Sequence, residues 1–183
     1  MMKMTLTGVV NIFGGPGAGK SYIASGLFRM MKKEKYAVEM TAEYAKELTY
    51  EDKFDILQND QLYIFAEQHR RMYRLIDKVD YVITDCPLLL GCVYFEKNRG
   101  IYSYKDLARF MIDTFKKYPN INILLKRNPE YGYDEYGRYQ TYDEALTVDE
   151  DVVRWLGYAK VKYTEMISDD TTVEKIFKMI KEQ

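Results

Sequence analysis

One glycine-rich segment organises the sequence, and it reads Gly14-Gly15-Pro16-Gly17-Ala18-Gly19-Lys20-Ser21. It satisfies the pattern G-x-x-x-x-G-K-[ST], in which glycines let backbone N–H groups turn inward around phosphate oxygens. An apolar run over residues 5–13 precedes it, and apolar residues at helical spacing follow it over residues 20–32. Four fixed positions would match by chance in a chain of this length well under about 1% of the time. The segment therefore predicts a phosphate-binding loop between a buried strand and a helix, and a glycine turn without a ligand is the alternative.

The chemistry expected of this loop concerns a nucleoside triphosphate and its metal ion. Lys20 would reach the β- and γ-phosphates, and the Ser21 hydroxyl would ligate Mg²⁺. Asp85 ends a predicted neighbouring strand, which is where a carboxylate on the metal side is expected, although it could instead cap the turn before Pro87. The expected cofactors are ATP and Mg²⁺. The predicted nucleotide-binding residues are Gly14, Gly15, Pro16, Gly17, Ala18, Gly19, Lys20, Ser21 and Tyr22.

The composition limits the class of protein. The chain has 183 residues, of which 47% are hydrophobic, and its 27 Lys and Arg against 28 Asp and Glu give a formal net charge of −1. These values exclude disorder and a polybasic nucleic-acid binder, and they predict one domain over residues 1–183. The two cysteines, Cys86 and Cys92, are too few for a disulfide framework or a zinc site. Because no run of 18 apolar residues occurs, we predict a cytoplasmic protein without a membrane segment.

Predicted strands alternate with predicted helices along the rest of the chain. The strands are expected over residues 5–13, 36–40, 81–84, 121–125 and 161–167, with a continued helix as the alternative for the last range. The helices are expected over residues 20–32, 42–48, 61–77, 88–95, 103–118 and 173–181. Asn59 or Asp60 can cap the helix at 61–77, and Thr147 with Glu150 predicts a further helix that starts at Asp149. This order predicts a three-layer α/β fold of the P-loop NTPase type, with a five-stranded parallel sheet and helices on both faces.

Signatures of several other P-loop classes are absent from the sequence. A guanine-binding GTPase should carry N-K-x-D after a late strand, but residues 125–129 read Leu-Lys-Arg-Asn-Pro. The transporter signature L-S-G-G-Q is absent too, and the chain is short for a motor or ring ATPase. A compact transferase that uses ATP is the remaining class.

Four further segments carry a resemblance to a known family. They are residues 43–47 (EYAKE), 60–68 (DQLYIFAEQ), 82–88 (VITDCPL) and the pair Gly137-Arg138. Together with the phosphate loop, they resemble the small P-loop kinases and ATPases similar to the ribosylnicotinamide kinase domain of the bacterial NAD regulator, a group with many phage-encoded members. The resemblance implies a nucleoside or nucleoside-monophosphate kinase-like fold, ATP, Mg²⁺ and a mobile lid.

The resemblance also implies roles for individual side chains. Glu43 would face the phosphoryl acceptor and either take up its hydroxyl proton or anchor its sugar. A solvated helix face is the alternative interpretation of Glu43 and Glu47. Family members more often have Arg where this chain has Lys46. Gln61 and Arg71 are candidate acceptor contacts, whereas His69 reads as a packed histidine.

Residues 127–147 have no clear period, and we predict that they form a lid over the nucleotide. Arg138 and Arg127 would bring positive charge to the phosphate, or else would pair at the surface with Asp134, Glu135 or Asp143. The segment is rich in tyrosine, which could cover a base or serve as packing. Its tyrosines are Tyr131, Tyr133, Tyr136, Tyr139 and Tyr142.

The sequence favours an ATP- and Mg²⁺-dependent phosphotransferase (kinase) acting on a small nucleoside, nucleotide or nicotinamide-riboside-like acceptor. One alternative is a P-loop ATPase switch with a protein partner. Another is a kinase that acts on a modified base or an end in DNA or RNA, which the balanced charge disfavours. The sequence carries no signal for an oligomeric state.

Overall fold

The computed structural model describes residues 6–97, 104–134 and 140–182. Five strands lie within these residues: β1 (Gly8–Phe13), β2 (Val38–Thr41), β3 (Tyr81–Thr84), β4 (Asn120–Lys126) and β5 (Thr164–Ile167). The same residues contain eight α-helices: α1 (Lys20–Lys33), α2 (Tyr44–Tyr50), α3 (Phe54–Asn59), α4 (Gln61–Tyr73), α5 (Leu90–Lys97), α6 (Tyr104–Phe115), α7 (Tyr142–Tyr158) and α8 (Thr172–Lys181). A short 3₁₀ turn covers Pro129–Tyr131.

The strands form one parallel sheet in the order β2-β3-β1-β4-β5. Strand β1 is central, and its Val10 is in register with Ile83 of β3 on one side and Ile121 of β4 on the other. Because all strands run in the same direction, the residues that follow β1, β2 and β3 emerge at one edge of the sheet. The predicted α/β fold with a five-stranded parallel sheet is confirmed.

Helices cover both faces of the sheet. Side chains alternate along β1, so that Val9 and Phe13 join one apolar cluster while Val10 and Ile12 join the other. The first cluster, the α5–α7 core, includes Phe95, Met111, Val152, Trp155 and Leu156. The second cluster, the α1–α8 core, includes Ile23, Leu27, Met31, Ile176 and Phe177.

Trp155 fixes the end of α7 against α5. Its ring is buried in the α5–α7 core, and its indole N–H donates to Glu96 Oε2 at 3.1 Å. Arg154 also donates to the Glu96 carboxylate, so one acidic side chain holds two neighbouring residues of α7.

The predicted start of α7 is wrong. The helix begins at Tyr142, because Thr141 rather than Thr147 caps it. Thr141 accepts from the Glu144 N–H, and the Glu144 carboxylate accepts from the Thr141 N–H at 2.8 Å. These bonds complete a capping box six residues upstream of the predicted one. The predicted lid at residues 127–147 is therefore too long, since its last residues belong to α7.

Other boundaries differ less. Asp60 is one of the two predicted caps of α4, and its carboxylate does cap the helix by accepting a hydrogen bond from the Tyr63 N–H at 3.1 Å. Helix α4 ends at Tyr73 rather than at residue 77, and α3 was not predicted. Residues 164–167 form the fifth strand rather than a continued helix. Over residues 6–97, 104–134 and 140–182, no helix combines the length and apolar character needed to cross a membrane.

Candidate functional site

The glycine-rich segment joins β1 to α1 and needs its glycines for conformation and space. Gly14, Gly17 and Gly19 have φ values of 148°, 78° and 87°, which side chains disfavour. A β-carbon on Gly17 would lie 2.6 Å from the ring of Tyr133. Helix α1 starts after Gly19 with no side-chain cap and no acidic residue in its first turn. Its N-terminal N–H groups and the positive end of its dipole are thus available to an anion.

Lys20 and Ser21 start α1 and face the cavity in front of the loop. The Lys20 ammonium group donates to the Gly15 carbonyl at 2.9 Å, and so lies along the loop. The Ser21 hydroxyl donates to Asp85 Oδ2 at 2.6 Å. Strands β1 and β3 are neighbours, and this adjacency brings together two residues that are 64 positions apart in sequence.

Asp85 has an oxygen available for a further ligand. The residue is only 6% exposed, and its Oδ1 atom is buried without a hydrogen-bond partner in the described part of the chain. Burying such an atom is costly unless something binds it. Among the described residues, no cluster of three or more His, Cys, Asp or Glu could enclose a metal ion. One carboxylate and one hydroxyl beside a phosphate loop instead fit Mg²⁺, which keeps much of its coordination for water and phosphate.

Glu43 lies at the N-terminus of α2, where β2 has just ended. Its backbone is extended, and its carboxylate makes no capping bond to the helix, so the side chain lines the cavity. Burial raises the pKa of the Glu43 carboxyl, Lys20 opposes this rise, and the negative charge of Asp85 adds to it. A carboxyl group with a raised pKa suits proton uptake near neutral pH.

Cys86 and Tyr94 lie in the same cavity wall and stay uncharged. Burial raises the pKa of the Cys86 thiol well above its ordinary value, and it also raises the pKa of the Tyr94 hydroxyl. At neutral pH both groups therefore remain protonated.

Helix α4 contributes one wall of the cavity. Gln61 lines it and donates to the Leu57 carbonyl. Arg71 instead binds Glu47 through two hydrogen bonds of 2.6 and 2.7 Å, so these two residues, unlike Glu43, form a partly exposed pair outside the cavity. His69 is packed, as the sequence indicated: its Nε2 is 2.7 Å from the Tyr118 hydroxyl, and burial lowers its pKa.

Arg127 is bound to a carboxylate that the sequence reasoning missed. Its Nε donates to Asp149 Oδ2 at 2.5 Å, and its Nη2 donates to the Ala145 carbonyl at 3.2 Å. The other oxygen of Asp149 accepts from the Gly15 N–H at 2.6 Å. Asp149 thus joins α7, Arg127 and the phosphate loop. The only sequence signal would have been its position on the helix that follows the predicted lid.

Two tyrosines of the predicted lid pack near the phosphate loop. The Tyr133 ring lies beside Gly17, and its hydroxyl donates to the Gln140 carbonyl at 2.7 Å. The Arg127 guanidinium carbon is 5.8 Å from the Tyr133 ring centre and 6.0 Å from that of Tyr142. These tyrosines therefore pack around Arg127. Arg138, Tyr136 and Tyr139 lie outside the described residues.

These features surround one cavity of about 640 Å³. The phosphate loop and the start of α1 line one part of it, and residues of α2, α3, α4, α5 and α7 line the rest. The charged and amide side chains outside the loop and α1 are Glu43, Lys46, Gln58, Asn59, Gln61, Gln68, Gln140 and Glu144. Apolar surface comes from Leu57, Ile64, Phe65, Leu88 and Leu90. A cavity with a few polar groups on apolar walls is typical of a small-molecule site.

Comparisons with known proteins agree with this arrangement. The sequence profile of a family described as an AAA domain matches residues 9–174. No curated protein sequence matches the chain. Among solved structures, the NadR protein in complex with NR is similar at 17% identity and a TM-score of 0.63, over 90% of this chain and 46% of the NadR chain. The chain thus spans less than half of the NadR protein's length.

A second similar structure is deoxyadenosine kinase from M. mycoides with products dCMP and dCDP bound. It has 16% identity and a TM-score of 0.57, over 96% of this chain and 100% of that one. A further NadR structure, in complex with NAD and AMP-PNP, gives 18% identity and a TM-score of 0.59, over 90% of this chain and 45% of that one. At such identities the likeness establishes the fold, which is that of P-loop kinases.

Proposed function

Because the chain belongs to this AAA-domain family of P-loop proteins, we propose that it is an ATP- and Mg²⁺-dependent kinase that phosphorylates a hydroxyl group of a nucleoside-like molecule. One observation carries the proposal. The phosphate loop, Ser21 and Glu43 all line the same cavity of about 640 Å³, and Ser21 is hydrogen-bonded to Asp85. A triphosphate at one end would place its γ-phosphoryl group toward an acceptor at the other end.

Each residue has its own role in the proposed phosphoryl transfer. The loop amides and Lys20 bind the triphosphate, and Ser21 and Asp85 hold Mg²⁺, which supplies charge neutralisation on the β- and γ-phosphates when bound. Glu43 takes the proton of the acceptor hydroxyl. A bond forms between the acceptor oxygen and the γ-phosphorus, the bond from that phosphorus to the β–γ bridging oxygen breaks, and ADP leaves. Arg138 from the predicted lid would balance negative charge in the transition state, whereas Arg127, which is paired with Asp149, supports the phosphate loop.

The charges of the cavity favour an unphosphorylated acceptor. Beyond the phosphate loop, its wall carries two carboxylates, Glu43 and Glu144, against one ammonium group, Lys46. Among the described lining residues there is no arginine, the residue that best binds a phosphate dianion. A nucleoside monophosphate would bring two more negative charges toward those carboxylates, whereas a neutral or cationic nucleoside would not. The bound molecules named for the similar structures, NR and the nucleotide products, agree with an acceptor of this size.

The test combines an acceptor panel with two lysine variants. Purified protein is incubated with labelled ATP, Mg²⁺ and single nucleosides, nucleoside monophosphates or nicotinamide riboside, and products are identified by mass spectrometry. We expect a monophosphate product from at least one nucleoside or from nicotinamide riboside. Lys20→Ala should abolish transfer without changing the circular dichroism spectrum. Lys32→Ala is the matched control, because Lys32 lies on the same helix in an exposed pair with Glu39.

Three results would contradict the proposal. Full transfer by Lys20→Ala would exclude the loop as the triphosphate site. Formation of diphosphates from monophosphates alone would make the acceptor class wrong. ATP hydrolysis that no acceptor redirects into a phosphorylated product would favour an ATPase with a protein partner.

A further inference from the structure

One buried side chain holds the backbone on both sides of Glu43. It is Gln68, which lies on α4 and is 4% exposed. The Gln68 amide nitrogen donates to the Ala42 carbonyl at 3.2 Å, and its amide oxygen accepts from the Tyr44 N–H at 3.0 Å. The two peptide groups that flank Glu43 are therefore bound by a single carboxamide, 25 positions further along the chain from Glu43.

This contact replaces the usual cap of α2. The first N–H groups of a helix have no partner within the helix, and the side chain of the N-cap residue commonly binds one of them. Glu43 is the N-cap residue of α2, yet its carboxylate makes no such bond. Gln68 binds the Tyr44 N–H instead. The carboxylate of Glu43 is thereby left for the cavity, which both residues line.

A second contact from α4 supports the first. Arg71 lies one helical turn after Gln68, and its Nη1 and Nη2 atoms donate to the Glu47 carboxylate of α2. Its guanidinium carbon lies over the Tyr44 ring, 4.7 Å from the ring centre. Helix α4 thus binds α2 at two places, at its start through Gln68 and one turn further along through Arg71. Because the Arg71 pair is partly exposed whereas Gln68 is buried, the Gln68 contact is the more rigid of the two.

We infer that Gln68 is a positioning residue that fixes the direction of the Glu43 carboxylate toward the acceptor hydroxyl. The inference rests on the proposed function, in which Glu43 takes the hydroxyl proton. Gln68 acts through the backbone of Glu43, so its loss should slow transfer without weakening the binding of ATP at the opposite end of the cavity.

The experiment compares Gln68→Met, which has a similar shape but cannot form either hydrogen bond, with Glu43→Gln and the double variant. We expect Gln68→Met to lower kcat by about 100-fold, since a displacement of about 1 Å has effects of this size. The KM for ATP should stay within about twofold. The double variant should be no slower than Glu43→Gln alone, because residues that act as one unit give strongly non-additive losses.

The dependence of kcat on pH distinguishes a positioning role of Gln68 from a merely structural one. The groups that surround Glu43 are Lys20 of α1, Lys46 of α2, Asp85 and Cys86 after β3, and Tyr94 of α5. None of them is substituted in Gln68→Met. If that variant frees Glu43 toward solvent, the acid limb of kcat against pH should move to lower pH, toward the ordinary glutamate range.

Gln61→Met is the matched control. Gln61 is also a buried glutamine of α4 that lines the cavity, but its side chain binds the Leu57 carbonyl rather than the residues around Glu43. We expect it to change the KM for the acceptor and to leave the acid limb in place. Equal shifts of the acid limb in both glutamine variants would overturn the inference, as would multiplied losses in the Glu43→Gln/Gln68→Met double variant.

Hydrogen exchange separates this inference from the proposed function. If Gln68 holds the helix start, Gln68→Met should speed the exchange of the Tyr44 amide proton, while Gln61→Met should not. Unchanged exchange in Gln68→Met would overturn the inference even in an active enzyme. Full activity of Glu43→Gln would instead remove Glu43 from the proposed mechanism and, with it, the positioning role, whatever the exchange rates.

Discussion

Asp85 lies where β3 ends, with one carboxylate oxygen on Ser21 and the other without a partner in the described structure. This arrangement fits the proposed Mg²⁺ ligand better than it fits a purely structural contact. A structural contact would satisfy both oxygens, because an unpaired buried oxygen costs about 1–3 kcal/mol.

Asp85→Asn keeps the size of the side chain and removes its charge. We expect kcat to fall by about 100-fold or more, with saturation requiring a higher Mg²⁺ concentration, as for other removals of a group that stabilises transferring phosphate. The melting temperature should be unchanged or higher, because the substitution removes a buried charge. The measurement is kcat over a Mg²⁺ titration, with Asp80→Asn at the other, exposed end of β3 as the control. Wild-type Mg²⁺ dependence in Asp85→Asn would exclude a metal-side role.

If Glu43 takes the acceptor proton, as proposed, the reaction should be sensitive to acid. Burial raises the pKa of its carboxyl above the ordinary value of 4.5, and only the ionised form can accept a proton. Activity should therefore be present above the raised pKa and be lost as the pH falls through it. Glu43→Gln should lower kcat by about 100- to 10,000-fold and abolish this limb of the profile. If the acid limb of the pH profile persists in Glu43→Gln, it arises from the titration of another group.

Residues of this kind differ in how well the sequence predicts them. The positions of Lys20 and Ser21 at the cavity could be predicted because their spacing within the loop is fixed by phosphate geometry, and that of Asp85 beside Ser21 because Asp85 directly follows a strand. Gln68 and Asp149 could not, since each acts through a backbone N–H far away in sequence, at Tyr44 and at Gly15. Such contacts leave no local pattern.

At the level of elements, α7 is joined to the phosphate loop through Asp149. The carboxylate accepts from the Gly15 N–H and pairs with Arg127, which in turn binds the Ala145 carbonyl of α7. The contact is close, because a β-carbon on Gly15 would lie 2.5 Å from Asp149 Oδ1 and 2.8 Å from the Ala145 carbonyl oxygen. The loop and the helix that follows the predicted lid therefore form one unit.

Asp149→Ala should loosen this unit. The Gly15 N–H loses its partner and Arg127 loses its counter-charge, so we expect a loss of about 1–3 kcal/mol in the free energy of unfolding and weaker ATP binding. Thermal melts with and without ATP and Mg²⁺ measure both effects. Glu150→Ala, the adjacent exposed carboxylate on α7, should change neither. Equal melting temperatures for the two variants would show that the Asp149 contacts contribute nothing.

The prediction of elements failed where the local signal was duplicated or missing. Two Thr-x-x-Glu patterns stand six residues apart, at Thr141 and Thr147, and the upstream one caps α7, which leaves Thr147 inside the helix with its hydroxyl on the Asp143 carbonyl. Helix α3 is the opposite case. It has only six residues, none of them buried, and is too short for a helical period to be recognised.

For the whole molecule, the order of strands and helices was predictable because β1, β3 and β4 are buried on both faces and read as apolar runs. The order of the strands within the sheet was not predictable, since pairing in a parallel sheet depends on contacts between distant segments.

Leu156→Ala tests the α5–α7 core. Leu156 is completely buried on α7, and we expect the substitution to lower the free energy of unfolding by about 2–5 kcal/mol. Leu146→Ala is the matched control on the same helix, because Leu146 is 39% exposed and should lose less than about 1 kcal/mol. Urea titrations followed by circular dichroism give both values. Similar losses in the two variants would mean that α7 is not anchored through its buried face.

The packing of Trp155 on α7 gives the protein its own optical reporter. It is the single tryptophan of the sequence, and it lies six residues beyond Asp149, about 9 Å along the helix. Its indole ring is buried in the core while its N–H is bound to Glu96, so a shift of α7 against α5 would change both the polarity around the ring and that bond. Intrinsic fluorescence of the unlabelled chain can therefore follow whether α7 moves when ATP binds.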